Sequence, residues 1–109
     1  MIQLCAKRLA DGAIYRLEAR GHAGYAERGE DIVCAAVTAI LATAATGLTD
    51  VLHLEPELHF AEGDIRVEID RQSCRSAAVQ NILETCFLGV KQLVLNYGEY
   101  VQTSEEREI

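Results

Sequence analysis

Basic side chains are scarce in this 109-residue sequence: ten Lys and Arg stand against seventeen Asp and Glu, a formal charge of −7. That balance argues against a nucleic-acid surface, which is built on a basic patch. The four cysteines, Cys5, Cys34, Cys74 and Cys86, form no C-x-x-C pair, and no histidine stands at ligand spacing from them. A zinc site is therefore not expected, and no metal or other cofactor is read. The start of the chain lacks a charged segment followed by an apolar one, so no secretory signal is read. The expectation is a cytoplasmic protein with reduced thiols. One long uncharged run is present, residues 32–48, at the lower edge of a membrane span. Its alanines, with Thr38, Thr43, Thr46 and Gly47, make it weakly apolar, so it reads as a helix crossing a small core, and no membrane partner is expected. Repeats, low-complexity tracts and linkers are absent, and residues 1–109 suffice for a single domain around one core.

Hydrophobic periodicity orders the chain. Residues 2–8 and 13–20 read as strands around the turn Ala10-Asp11-Gly12, an Asp-Gly hairpin signal. Residues 52–60 alternate, with Leu52, Leu54, Leu58 and Phe60 on one face and His53, Glu55, Glu57 and His59 on the other. Pro56 makes this an edge strand or a bulge, and the two histidines read as solvated surface residues. After Glu62-Gly63-Asp64, Ile65, Val67 and Ile69 mark a fourth strand. Val79, Ile82, Leu83, Cys86, Phe87, Val90, Leu93, Val94 and Tyr97 form the buried stripe of a second helix, which Gly98 ends. Residues 99–103 read as a short strand, and the tail SEEREI as mobile. The order ββαββα(β) predicts an α+β two-layer sandwich, a mainly antiparallel sheet with two helices on one face.

Chemistry concentrates in GHAGYAERGEDIVCAA, residues 21–36. His22 follows a strand and precedes a loop carrying Gly24, Tyr25, Glu27, Arg28, Gly29 and Glu30. Asp31 reads as the N-cap of the first helix, accepting a backbone N–H near position 34. Cys34 then falls in the first turn, where the helix dipole favours a thiolate, although the Asp31 carboxylate opposes one. The first-turn N–H groups are candidate oxyanion donors. A histidine at the strand end beside this turn would act as base and then as acid to a cysteine nucleophile. Residue types and spacing leave a second reading standing, in which Cys34 is a small buried apolar group and His22 packs or caps.

The segment GHAGYAERGEDIVCAAVTAI resembles the signature of the bacterial ribosomal-processing cysteine proteases, the Prp family. Gly21, His22 and Ala23 match, as do Gly29, Asp31, Ile32, Val33, Cys34, Ala35, Ala36 and Val37. Thr38 stands where members often carry serine, keeping the hydroxyl and adding a methyl. The resemblance implies a cysteine endopeptidase that removes a short N-terminal extension from large-subunit ribosomal protein number twenty-seven, cutting after paired aromatic residues. It implies Cys34 as nucleophile and His22 as general base, with Gly21, Ala23, Asp31, Ala35 and Thr38 in supporting or substrate-binding places. Gly24, Tyr25 and Gly29 would belong to a lid over the peptide, and the protein would be a homodimer. An acidic enzyme would attract a basic ribosomal protein, chiefly through the encounter rate. A non-catalytic, ribosome-associated peptide-binding module with the same fold is the alternative.

Overall fold

A computed structural model of the chain describes every residue except Arg28, so that loop position of the sequence reading lies outside the described residues. Strands β1 (Ile2–Arg8) and β2 (Ile14–Arg20) lead into helix α1 (Ile32–Thr46), which runs on as a wider π turn over Gly47–Val51. Strands β3 (Glu57–Ala61) and β4 (Asp64–Glu68) follow. A single 3-10 turn (Ser73–Arg75) then leads to helix α2 (Ala77–Tyr97) and strand β5 (Val101–Arg107). The strands join one sheet in the order β3-β4-β2-β1-β5, antiparallel throughout except where β5 runs parallel to β1. Both helices pack on one face, as the α+β reading predicts.

The two sheet faces differ in chemistry because side chains alternate along each strand. Leu4, Ala6, Leu17 and Val67 point to the helices, where Val37, Leu41, Leu83, Phe87 and Val90 meet them in a fully buried core. Burying a side chain such as Phe87 contributes about 1.5–3 kcal/mol. The opposite face carries ion pairs. Glu18, at its centre, lies 2.7 Å from Arg16, 3.5 Å from Lys7 and 3.8 Å from Arg20. By length and composition, α1 with its π turn is long and apolar enough to cross a membrane. In this fold its Val33, Val37, Leu41, Ala44 and Leu48 are buried in the core.

The structure departs from the sequence reading at two elements. The strand expected over 52–60 is confined to Glu57–Ala61. Before it, the Leu52 and Leu54 N–H groups donate to Gly47 and Leu48, and His53 takes a left-handed φ of 55°. The chain thus folds back on the end of α1, and Leu52 and Leu54 pack on the core as loop residues. Pro56, which lacks an N–H and keeps its predecessor extended, marks the point after which the ladder begins. The tail is the second departure. Instead of moving freely, Ser104–Arg107 completes β5, pairing with β1 as far as Arg8↔Arg107. Charge contacts hold it: Arg8 to Glu105 at 2.7 Å, Lys7 to Glu106 at 3.7 Å, and Arg71 to Glu108 at 2.6 Å.

Candidate active site

At the end of β2 the backbone must turn sharply, and Gly21 makes this possible. Its φ is +98°, and a Cβ there would come within 2.4 Å of the Met1 carbonyl oxygen. The Gly21 N–H donates to the Gly63 carbonyl at 3.0 Å, tying this turn to the β3–β4 hairpin. His22 emerges exposed beside that hairpin, its imidazole lying against Gly63. A methyl group on Gly63 would stand 2.8 Å from His22 Nε2 and 3.2 Å from Cε1. Gly63 is absent from the sequence reading as a site residue. Its place follows from the β2–β4 pairing Arg20↔Asp64, which sets the hairpin next to the strand end.

Asp31 caps α1 as the sequence predicts, one carboxylate oxygen accepting the Val33 and Cys34 N–H groups at 3.0 Å each. Its other oxygen accepts the N–H groups of Tyr25, at 3.0 Å, and Ala26, at 3.4 Å. Asp31 therefore fastens the 23–30 loop to the helix start. Burial works to raise its pKa, but the donors Cys34, Tyr25, Ala26 and Val33 outweigh burial and hold it below the ordinary carboxylate value. The arrangement also corrects the expected oxyanion donors. The Val33 and Cys34 N–H groups are spent on the cap, and that of Ala35 bonds the Asp31 carbonyl at 3.1 Å. The N–H near the sulfur is instead that of Ala23, buried, which donates to Cys34 Sγ at 3.4 Å.

A cavity of about 540 Å³ gathers these parts. Cys34, Val37, Thr38 and Asp31 form its helix wall, and Ile2, Ala19, Gly21 and His22 its sheet wall. Phe60–Ile65 close the hairpin side, and Gly24, Ala26 and Gly29 the loop side. Thr38 is exposed one helical turn beyond Cys34. Ala35 is exposed on α1 away from the cavity lining. Tyr25 also lies outside the lining, its ring edge-on to Tyr97 at 5.8 Å and Tyr100 at 5.0 Å, so the loop rests on the α2–β5 junction. His53 and His59 are exposed, as expected of surface residues, and neither lines the cavity, although His59 Nε2 stands 3.4 Å from the lining residue Asp64. Cys74 and Cys86 are buried, and burial raises both thiol pKa values. Among the described residues, no three His, Cys, Asp or Glu side chains gather as metal ligands.

Comparison with known proteins follows the same lines. The family model described as cysteine protease Prp matches residues 1–102. The ribosomal processing cysteine protease Prp of Bacillus subtilis (strain 168) is 40% identical over 62 residues, 57% of this chain. The chain spans only 55% of that relative's length. The fold matches the crystal structure of the essential ribosomal processing protease Prp from S. aureus with a covalently linked product peptide. There the TM-score is 0.82 at 22% identity, covering 97% of this chain and all of that one. It also matches a Streptococcus mutans protein with a TM-score of 0.85 at 28% identity, covering 99% of this chain and 96% of that one.

Proposed function

From the premise that the chain belongs to the Prp family of cysteine proteases, we propose that it is a cysteine endopeptidase working through Cys34 and His22. The observation that carries the proposal is their meeting in one open cavity, with the Ala23 N–H directed at the sulfur. In this reading His22 takes the Sγ proton, and the thiolate attacks the scissile carbonyl carbon to give a tetrahedral oxyanion. The oxyanion collapses to a thioester as the protonated imidazole donates to the leaving amine. Water, deprotonated by His22, then releases the acid fragment and restores the thiol. The Ala23 N–H supports negative charge at the sulfur. Once the sulfur is bonded to the scissile carbon and its charge has passed to oxygen, that N–H is the donor left to turn to the oxyanion, since the helix amides stay with Asp31.

The remaining residues take supporting parts. Gly21 sets the turn that presents His22, Asp31 joins loop to helix, and the Thr38 hydroxyl lines the groove. Gly24, Tyr25 and Gly29 belong to the loop over the peptide. Ala35 lies on an exposed strip of small residues with Ala39, Ala42 and Thr46, which suits close approach of a second copy in a homodimer. The substrate is the N-terminal extension of large-subunit ribosomal protein number twenty-seven, cut after paired aromatic residues in the cytoplasm. The chain's formal charge of −7 suits encounter with a basic ribosomal protein.

The test is incubation of purified protein with a peptide spanning the extension junction, the products read by mass spectrometry. Wild type should cut after the aromatic pair, and Cys34→Ala and His22→Ala should not. Tight peptide binding with no cleavage by wild type would select the non-catalytic binding module instead.

A further inference from the structure

Beside the cavity, the sheet leaves an apolar strip uncovered. Leu58 and Phe60 pair with Val67 and Ile65 in the β3–β4 ladder, so they point to the same face as those core residues. Val67 and Ile65 are covered, whereas Leu58 is 46% and Phe60 44% exposed. Helix α1 packs over β4, and β3, the outermost strand, rests mainly on β4 alone. Every residue of β3 is exposed. Phe60 also lines the cavity that holds Cys34 and His22, so the strip continues directly from the reacting groups. Two side chains on one face of a strand are about 7 Å apart, the spacing at which an extended peptide presents alternate side chains. A small soluble domain gains nothing in stability from leaving a phenylalanine and a leucine half exposed at an edge.

We infer that this strip is the specificity surface of the site: Phe60 takes a large apolar side chain next to the scissile bond, and Leu58 extends the contact along β3. The occupant is an extended stretch of the substrate polypeptide. This rests on the proteolytic reading and adds to it the residue that chooses the side chain. Contact with one well-placed apolar group discriminates by about 10–200-fold, so Phe60→Ala should lower selectivity by that order. Phe60→Leu should restore part of it.

The test measures binding first, so that it does not depend on turnover. Two peptides, one with an aromatic residue before the scissile bond and one with alanine there, are titrated onto Cys34→Ala and onto Cys34→Ala carrying Phe60→Ala. The aromatic peptide should bind Cys34→Ala at least tenfold more tightly, and the second substitution should remove most of that preference by weakening the aromatic peptide far more than the alanine peptide. The same ratio should appear in kcat/KM for wild type against Phe60→Ala, with Cys34 alkylation by iodoacetamide unchanged. Equal weakening of both peptides, or an unchanged preference, would overturn the assignment. Absence of cleavage by wild type would sink the proteolytic reading, and the binding preference would still decide the role of Phe60.

Discussion

Replacing Gly63 with alanine separates the geometry of His22 from the stability of the fold. The new methyl would lie 2.8 Å from His22 Nε2, 3.2 Å from Cε1 and 3.5 Å from Cδ2. Carbon contacts settle near 3.5–4.0 Å, so the ring must move by roughly 1 Å. A displacement of that size at a reacting group costs on the order of 10²-fold in rate. The substitution also places an L-residue at a φ of +73°, which costs about 1–2 kcal/mol. For a domain this small, that lowers Tm by roughly 4–8 °C per kcal/mol. Gly12→Ala is the control. It carries the same kind of backbone penalty at φ +96°, with only the end of Arg107 nearby at 3.4 Å, far from the cavity lining. Both variants should melt earlier by similar amounts in a thermal scan. Only Gly63→Ala should lose about 10²-fold in peptide cleavage, mainly in kcat. Equal activity of the two variants would refute the claim that the hairpin positions the imidazole.

Other outcomes follow from single contacts. Asp31→Ala removes the acceptor of four N–H groups and should cost about 1 kcal/mol, as loss of an N-cap does, in chemical denaturation. Because its folded pKa is lowered, Asp31 contributes stability above its unfolded value of about 3.9, and that share is lost as pH falls through the lower folded value. Between pH 7 and pH 3, Asp31→Asn should therefore lose less Tm than wild type. Tyr25→Ala removes two edge-on ring contacts, each worth about 0.5–1.5 kcal/mol when buried and less at this exposure. Hydrogen exchange over residues 23–27 should quicken while exchange in α2 stays slow. Deleting residues 104–109 should lower Tm by several degrees, where a mobile tail would leave it unchanged.

Much of the site was legible because it is local. Asp31 reaches Val33 and Cys34 within one turn, so sequence order alone predicts the cap. The same cap consumes the N–H groups that the sequence reading assigned to the oxyanion, and a tally of donors would have exposed the conflict. Gly63 and Phe60 reach the site only through the pairing of β4 with β2 and of β3 with β4, a register that no local pattern carries. Alternation over 52–60 misled because Leu52 and Leu54 are apolar for a different reason, packing on the core as loop residues instead of on a strand ladder. The tail lacks apolar alternation altogether. Its order comes from the free edge of β1 and from partners such as Arg8 and Lys7, distant in sequence.

Cys5 and Cys34 are the two half-buried thiols, one on the charged face of the sheet and the other in the cavity. Intact-protein mass spectrometry during turnover of the junction peptide, followed by mapping of the adduct, tests the central claim most directly. A transient mass increase equal to the acyl fragment, located on Cys34 and absent from Cys34→Ala, is the predicted result. An adduct on Cys5, or cleavage by Cys34→Ala at the wild-type rate, would contradict it.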